Sequence, residues 1–489
     1  MVAGELLAAD AAARSRALEL GSFIVEAPAG AGKTELLAQR YLRLLACVEA
    51  PEEIVAITFT NKAAGEMASR ILESLQHAAA GERPEAAHKR ITFDLARAAL
   101  DVGAERGWNL LEHPGRLRIT TIDALCMNLA RQMPLLSRFG SQPRLAEDAS
   151  RHYAEAARRT LALIADESDA GEAGELAETV ATALRHLDND AVRLGLLLGE
   201  MLARRDQWLR HALAAPSRAE AEAGFALLIG RELERAAAAI DARRQAALMP
   251  AARYAAANLP PESPLAPLLE WTTPLPPGAD ALPQWRALAA LLLTGEGEPR
   301  KLWNKNLGLP PGKDSDVHKK ALAAVAQELA ADDAATLARV RELPAPRYTD
   351  EEWLTVEALG ALLKVAAGQL WTVFNEAGET DFIEVARRAL QALGTSDAPT
   401  DLALALDYRI RHLLVDEFQD TSPTQVELLE RLTAGWMPGD GRTLFAVGDP
   451  MQSIYRFRMA DVGLFLRVAD LGIGGLPLER LQLARNNRS

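Results

Sequence analysis

Cysteine is nearly absent from this sequence. Only Cys47 and Cys126 occur in its 489 residues. Two cysteines are too few for a disulfide framework, and this pair does not have the spacing of zinc ligands. We therefore expect a protein of a reducing compartment that has no structural zinc site.

The sequence also lacks a long apolar run at its start and an excess of basic residues. Residues 1–20 interrupt their apolar positions with charged ones such as Glu5 and Asp10, unlike a signal peptide or a membrane helix. Lys and Arg total 54 against 67 Asp and Glu, which gives a formal charge of -13. A protein that coats nucleic acid shows a basic excess, so any DNA contact must be local. We expect a cytoplasmic protein without a membrane partner.

Aromatic residues are scarce as well, at 5% of the sequence. The chain is instead rich in Ala, Leu, Arg and Glu, which favours helices over sheet along most of its length. Hydrophobic residues make up 49% and charged residues 25%, as in a folded globular protein. Because 489 residues exceed one compact domain, we expect a core domain and a large second body.

Five short apolar runs stand out from the helical background. Each has the length and composition of a buried parallel strand. Amphipathic helical segments, such as 33–46 and 63–75, lie between them, and this alternation predicts an α/β domain with an open parallel sheet. The five runs are residues 23–26, 54–59, 117–121, 412–416 and 443–449.

The alternation of strand and helix disappears in the middle of the chain. Residues 145–377 are Ala-rich and helical in pattern, with a Pro-rich stretch at 259–283. This change predicts a helical domain inserted into the sheet domain. The predicted bounds are 1–144 for the first part of the core, 145–377 for the insertion, 378–475 for the second part of the core, and 476–489 for a new segment.

A glycine-rich segment follows the first predicted strand and opens a predicted helix. Gly30 and Gly32 permit a tight turn whose backbone amides converge on phosphate oxygens, and the helix start adds a positive dipole end. Lys33 supplies an ammonium for the β and γ phosphates, and Thr34 is placed to hold Mg²⁺. The alternative is a loop that only caps a helix. The segment consists of Ala27, Pro28, Ala29, Gly30, Ala31, Gly32, Lys33 and Thr34.

The fourth predicted strand ends in two adjacent carboxylates, Asp416 and Glu417. In a phosphoryl-transfer site, Asp416 would reach Mg²⁺, usually through water, and Glu417 would position and deprotonate the attacking water. The alternative is an acidic pair beside a helix that Asp420 or Thr421 caps. Together with the glycine-rich segment, the two carboxylates predict a site for ATP and Mg²⁺.

Several strings resemble the motifs of superfamily 1 DNA helicases of the UvrD/Rep kind. Residues 416–421, Asp-Glu-Phe-Gln-Asp-Thr, resemble motif II, and residues 448–458, with Gln-Ser-Ile-Tyr-Arg-Phe-Arg, resemble motif III. Residues 58–67, 120–126 and 483–489 are similar to motifs Ia, Ib and IV, in the order that the family has. The long insertion before motif II is closer to AddA/RecB-like subunits, of the exodeoxyribonuclease V beta type, than to compact repair helicases.

This resemblance implies a RecA-like P-loop domain with an all-helical inserted domain. It also implies that the chain ends at the start of a second RecA-like domain, over residues 476–489. Within the nucleotide site, the resemblance implies that Gln452 senses the γ-phosphate and that Arg488 reaches the nucleotide. Where many family members have a Gln that reads adenine, this sequence has Arg14.

The same resemblance implies a track for single-stranded DNA. Tyr455 and Phe457 alternate with Arg456 and Arg458, so that two stacking faces lie among cations. The alternative is a pair of aromatic rings packed in a core. Further DNA contacts are implied for Phe59, Thr60, Asn61 and Thr121.

The implied function is an ATP-dependent DNA helicase in repair or recombination. ATP hydrolysis would drive translocation along one strand, 3′ to 5′ by family analogy, and so unwind the duplex. The implied partners are single-stranded and duplex DNA and a partner protein of the AddB/RecC kind. Because an arginine from the second domain completes such sites, we expect this chain alone to bind ATP better than it hydrolyses it. The alternative is an ATP-responsive DNA- or partner-binding module without motor activity.

Overall fold

The computed structural model describes residues 3–28, 30–133, 143–163, 172–214, 217–395, 397–449 and 462–484. The chain divides into two compact units. The first unit contains Met1–Glu167, Asp190–Arg210 and Leu363–Ser489, and the second contains Ser168–Asn189 and His211–Leu362. The predicted insertion, 145–377, is wider than the second unit, because part of that helical stretch packs within the first.

The first unit is built on a six-stranded sheet in the order β3-β2-β6-β7-β1-β8, and every neighbouring pair is parallel. Five of these strands lie at the five predicted runs, with ends that differ by no more than one residue. The predicted α/β fold with a parallel sheet is confirmed. The strands are β1 (Phe23–Glu26), β2 (Ile54–Thr58), β3 (Arg118–Thr121), β6 (His412–Val415), β7 (Thr443–Gly448) and β8 (Glu479–Gln482), while β4 (Arg144–Leu145) and β5 (Glu379–Thr380) form a separate short pair.

The sixth strand, β8, differs from the expectation that residues 476–489 open a new domain. Its residues pair in parallel with β1, from Phe23 opposite Glu479 to Glu26 opposite Gln482. Arg480 and Gln482 both donate to the Glu26 carboxylate, at 2.8 and 3.1 Å. In its described residues, this segment therefore forms an edge strand of the six-stranded sheet.

Helices cover both faces of the sheet. Successive side chains of a strand point to opposite faces, and apolar side chains on both faces must be buried. Ile24, Val55 and Ile57 belong to one hydrophobic cluster, and Phe23 and Ala56 belong to the other. The helices of this unit are α1 (Ala3–Ala17), α2 (Lys33–Leu45), α3 (Asn61–Ala80), α4 (Ala87–Glu105), α5 (Ile122–Gln132), α6 (Ser150–Ala162), α8 (Ala191–Leu202), most of α9 (Arg205–Ala214), α16 (Phe382–Leu393), α17 (Asp401–Arg409), α18 (Pro423–Leu432) and α19 (Val462–Leu471).

The second unit is helical in its described residues. Its core is a single hydrophobic cluster in which Trp271, Trp285 and Trp303 are buried among Leu and Ala side chains. This is the packing that an Ala- and Leu-rich sequence with few aromatics allows. Its helices are α7 (Glu172–His186), α10 (Arg218–Ala239), α11 (Ala242–Ala257), α12 (Leu282–Leu292), α13 (Lys313–Glu328) and α14 (Ala331–Glu342).

One long helix, α15 (Asp350–Ala377), runs from the second unit into the first. By length and composition alone it could cross a membrane, and 28% of its most apolar window is buried. Ala366, Leu370 and Phe374 of this helix share a hydrophobic cluster with Ala156 of α6. Its C-terminal part therefore packs as a core helix of the first unit.

A buried ion pair joins two distant segments of the first unit. Arg205, at the start of α9, donates to both oxygens of Asp381 at 2.6 Å, and the two side chains are 2% and 5% exposed. Asp381 is also the N-cap of α16, where it accepts from the Glu384 amide. Burial opposes ionisation of Asp381, but the Arg205 guanidinium and these hydrogen bonds hold its pKa below the ordinary value.

Replacing Asp381 by Asn should destabilise the first unit by about 3 kcal/mol, because it leaves the Arg205 charge buried without its closest partner. The Asn side chain keeps the cap acceptor, so the loss reports the charge together with the bonds that the other oxygen accepts from Arg205 and the Tyr153 hydroxyl. The measurement is urea unfolding at neutral pH. The control, Glu376→Gln, removes a solvent-exposed ion pair with Arg159 and should cost less than about 1 kcal/mol. Equal losses of unfolding free energy in the two variants would show that the buried pair contributes no more than the exposed one.

Candidate nucleotide-binding site

The parallel sheet collects the predicted site residues at one edge. In a parallel sheet all strands end at the same side, and here β1, β2, β3, β6 and β7 are parallel. Residues 27–34 follow β1, residues 59–61 follow β2, and residues 416–417 follow β6. The segment at 416–417 is hundreds of residues from the other two in the sequence, and the fold places all three along one edge.

The glycine-rich loop has the backbone of a phosphate-binding turn. Gly30 and Gly32 have φ of 79° and 81°, in the left-handed region that residues with a Cβ rarely adopt. The Ala27 amide donates to the Gly448 carbonyl of β7 at 2.9 Å, and the Ala31 amide donates to the Pro28 carbonyl at 3.0 Å. These bonds fix both ends of the turn, and α2 begins directly after it at Lys33.

Lys33 and Glu417 form an ion pair across the site. The Lys33 ammonium lies 3.0 Å from the Glu417 carboxylate, and the Lys33 side chain is 11% exposed. These residues are 384 positions apart in the sequence. The contact brings the glycine-rich loop and the acidic pair into one site.

The backbone at Glu417 is strained. Its φ of 49° and ψ of 43° are left-handed, which is uncommon for a residue other than Gly, Asn or Asp. This conformation ends β6 and turns the chain before the short helical segment at Phe418–Asp420. Strain of this kind persists where surrounding contacts hold it, and here Glu417 is held by Lys33 and by Gln419.

Gln419 is a site residue that our sequence analysis did not single out. Its amide nitrogen donates to Glu417 at 2.8 Å, and its amide oxygen accepts from the Asp449 amide at 2.9 Å. A side chain at Gly448 would overlap the Gln419 oxygen, so glycine is needed at the end of β7. Gln419 therefore links the acid after β6 to the end of β7. The available signal was its place in the string at 416–421.

Asp416 is a buried carboxyl group, 7% exposed. Burial is the main cause that raises its pKa from 3.8 to about 6, and the negative charge of Glu417 adds to the rise. The Glu417 amide and the Lys33 charge oppose it. A divalent cation at this carboxylate would favour the charged form, so the site is suited to a metal ion.

The donor set fits Mg²⁺ rather than a metal held by the protein alone. Asp416 is buried at the end of β6, and Thr34 is half-buried in the first turn of α2. A hydroxyl and a carboxylate are hard oxygen ligands, and Mg²⁺ is bound by one or two of these together with water and phosphate. Among the described residues, no group of three or more His, Cys, Asp or Glu side chains could hold a metal ion by itself.

The predicted DNA-binding residues after β2 and β3 occupy helix starts. Thr60 caps α3 by accepting from the Ala63 amide at 3.1 Å, and Thr121 caps α5 by accepting from the Ala124 amide at 3.2 Å. Asn61 is exposed in the first turn of α3. These three residues lie at the sheet edge that holds the glycine-rich loop, and their contacts with DNA stay a prediction.

Phe59 is more buried than a free stacking surface, at 7% exposed. Its open part lines a cavity of about 250 Å³ in the first unit. Carboxylates of Asp123, Asp206, Asp381 and Asp420 line the same cavity. Because this lining repels phosphate, a DNA contact at Phe59 would have to involve a base rather than the backbone.

Six predicted site residues lie outside the described residues. They are Ala29 in the glycine-rich loop, Gln452 and Arg488 of the predicted nucleotide contacts, and Tyr455, Phe457 and Arg458 of the predicted DNA contacts. Their roles stay predictions.

A comparison with family profiles covers nearly the whole chain. The profile described as UvrD/REP helicase N-terminal domain matches residues 9–471. The chain belongs to this family. The resemblance inferred from the motif strings is confirmed, and the glycine-rich loop, Lys33 and the acidic pair lie within the matched residues.

Curated relatives of this UvrD/REP domain are named as the A subunits of ATP-dependent helicase/nucleases. The protein of Desulforudis audaxviator is 28% identical over 96% of this chain and 37% of its own length. Those of Lysinibacillus sphaericus and Geobacillus kaustophilus are both 27% identical, over 91% and 95% of this chain and 35% and 37% of their own lengths. The chain thus spans little more than a third of the length of these relatives.

The buried Asp416 predicts a pH-dependent gain of stability in the Asp416→Asn variant of this UvrD/REP domain. Because the folded-state pKa lies near 6 and the ordinary value is 3.8, ionisation in the folded state costs stability. The cost is absent below both values and complete above pH about 6, so the variant should gain on the order of 2 kcal/mol at about pH 8 and less at about pH 5.

The measurement is urea unfolding of the nucleotide-free protein at both pH values. A control is Asp407→Asn, which changes a carboxylate that is 42% exposed and pairs with Arg442, and which should show no comparable gain. A gain at Asp416→Asn that is larger at about pH 5 than at about pH 8 would contradict the raised pKa.

Proposed function

We propose that this chain is the ATP-binding motor portion of an ATP-dependent DNA helicase that acts in DNA repair or recombination. One observation carries the proposal: the glycine-rich loop and the acidic pair meet through the Lys33–Glu417 contact at 3.0 Å. Family membership and the names of the relatives support the same activity. We propose translocation in the 3′ to 5′ direction by analogy with the family.

Each residue in this site has a distinct chemical role. Backbone amides of the glycine-rich loop and the N-terminus of α2 hold the β and γ phosphates, and Lys33 neutralises their charge. Thr34 and Asp416 would hold Mg²⁺. Glu417 positions the attacking water and accepts its proton. Bound Mg²⁺ and ATP supply the phosphoryl group and part of the charge neutralisation.

The Lys33–Glu417 pair must separate when nucleotide binds. These two charges pair with each other, and Gln419 also donates to the Glu417 carboxylate. When phosphates take over the Lys33 ammonium, the Glu417 carboxylate is released toward the γ-phosphate while Gln419 keeps its position. Lys33 and Glu417 therefore neutralise each other's charge until nucleotide binds.

Opposite effects on binding are expected from the two members of this pair. Lys33→Ala should weaken Mg-nucleotide binding by about 10-fold or more, because it removes the cation that faces the phosphates. Glu417→Gln should bind nucleotide at least as tightly as the wild-type protein, because Lys33 no longer has an ionic partner, yet should lower ATP hydrolysis by about 100-fold or more.

Titration with a fluorescent ATP analogue and phosphate-release assays measure both effects. Lys62→Ala serves as a matched control, since this lysine lies on the surface of α3 and is 86% exposed. Tight nucleotide binding by Lys33→Ala would refute the proposed site. Tight binding that depends on Lys33 without any hydrolysis by the complete gene product would instead favour the ATP-responsive binding module.

We propose that single-stranded DNA runs past the ends of β2 and β3. The proposed contacts are Phe59, Thr60, Asn61 and Thr121, with Tyr455, Phe457 and Arg458 as stacking and charged groups. The helix start at Thr60, which has no acidic residue in its first turn, offers amide dipoles to a phosphate backbone, which supports this path. With a charge of -13, the chain has no general basic surface, so binding must depend on these local groups.

Affinity for oligo-dT should therefore fall when the aromatic contacts are removed. Tyr455→Ala should weaken binding by about 10-fold, because base stacking on one ring contributes roughly 1–3 kcal/mol. Fluorescence anisotropy at fixed salt measures the change. Tyr408→Ala is the control, since Tyr408 is 84% exposed on α17, away from the carboxyl ends of the strands. If both variants bind DNA like the wild type, the proposed track is wrong.

The relatives' names also suggest an assembly, because they describe one component of a larger enzyme. We propose that the complete protein works with a partner of the AddB/RecC kind and that it is located in the cytoplasm. Co-purification of the complete gene product tests the first point.

A further inference from the structure

Two residues of the first helix contact the phosphate loop. The Arg14 guanidinium donates to the Ala31 carbonyl at 2.6 Å, and its Nε donates to Asp10 at 2.7 Å. Asp10 and Arg14 are one helical turn apart on α1, so they form a pair on one face. The Asp10 side chain is 4% exposed, and that of Arg14 is 26% exposed. The pair is thus largely enclosed next to the loop.

The same pair contacts the chain that follows β8. The second oxygen of Asp10 accepts from the Ala484 amide at 2.9 Å. One residue earlier, the Leu483 amide donates to the Glu26 carbonyl at 2.9 Å, which extends the pairing of β8 with β1. The Asp10–Arg14 pair therefore joins two segments that are distant in the sequence: the turn at 27–34 and the segment after β8.

The contact at Ala31 fixes the middle of the loop. Ala31 lies between Gly30 and Gly32, whose backbones have wide conformational freedom. A hydrogen bond from a charged guanidinium is stronger than one from a neutral donor. By holding the Ala31 carbonyl toward α1, Arg14 limits the orientations of the neighbouring amides, which are the groups that bind phosphate.

We infer that the Asp10–Arg14 pair is a positioning device that couples nucleotide occupancy of the phosphate loop to the segment after β8. This inference rests on the proposed function, because it requires nucleotide at residues 27–34. When phosphates order the loop, the Ala31 carbonyl and Arg14 become fixed, Asp10 is fixed through Arg14, and the Ala484 amide gains protection through Asp10. Arg14 acts through these contacts and does not itself need to touch the nucleotide.

Other contacts hold α1 in place, so the pair can be tested without removing the helix. The Arg40 guanidinium donates to the Ala17 and Gly21 carbonyls, at 2.9 and 2.8 Å. Arg16 pairs with Glu479 of β8 at 2.8 Å. Arg16 thus contacts β8 from the same helix without a described contact to the phosphate loop, which makes Arg16→Gln a matched control.

The test is hydrogen–deuterium exchange with and without saturating MgADP, on the wild-type chain and on Arg14→Gln, Asp10→Asn and Arg16→Gln. In the wild type, nucleotide should slow exchange several-fold both at 27–34 and at 479–484. In Arg14→Gln and Asp10→Asn the loop should still be protected at saturation, while the response at 479–484 is lost. Arg14→Gln should also raise the nucleotide Kd about 10-fold. Arg16→Gln should keep both responses.

The outcomes separate the inference from the proposed function. If MgADP protects neither region of the wild type, nucleotide does not bind at the loop, and the proposed function itself is overturned. If the loop is protected but 479–484 does not respond in the wild type, or responds equally in Arg14→Gln, the coupling is overturned. A melting temperature measured for each variant identifies any that does not fold. If Arg14→Gln does not fold, Asp10→Asn disrupts the same pair and provides an independent test.

Discussion

The Lys33–Glu417 contact is the interaction on which the rest of the site depends. It joins segments that lie 384 residues apart, and it does so at the edge where the parallel strands end. A lysine at the start of α2 and a carboxylate after β6 can meet only if β1, β7 and β6 are adjacent and in register. The proposed chemistry therefore requires this strand order. The helical second unit lies between the two segments in the sequence and does not interrupt the order of the strands.

The acidic side of the site combines burial with strain. Asp416 sits in a place that disfavours its charge, and Glu417 takes a left-handed backbone conformation. Neither arrangement would persist on a free loop, since each costs free energy that other contacts must offset. Asp416 accepts the Glu417 amide at 3.0 Å, and Gln419 holds Glu417 by bonding both to it and to the end of β7. The site is thus held by the end of the neighbouring strand as well as by its own.

Local sequence was enough to predict five strands and the left-handed glycines of the loop. Residues 23–26 and 443–449 are apolar and flanked by turn residues, and Gly30 and Gly32 stand where a left-handed turn is needed. The candidate site residues were predicted from motif strings. Such strings give residue types but not the distances between side chains. The pairing of β8 with β1 could not be predicted from local sequence. Three of the four residues in Glu479–Gln482 are polar, and the pairing depends on contacts with Glu26 and Arg16. The bounds of the two units depend equally on long-range packing, such as that of Ala156 with Phe374.

The threonine caps at the ends of β2 and β3 have a consequence for ligands at that edge. Thr60 and Thr121 each use a lone pair of the hydroxyl oxygen to accept a backbone amide, at 3.1 and 3.2 Å. An accepted bond leaves the hydroxyl's own proton available, and its direction is then restricted by the bond already made. Two hydroxyl protons, each beside the positive end of a helix, are thereby left for further partners at neighbouring strands, that of Thr60 in a half-buried residue and that of Thr121 in a residue only 7% exposed. Serine at either position would preserve this pair of donors, whereas aspartate would cap the helix equally well and turn the donor into a repelling charge.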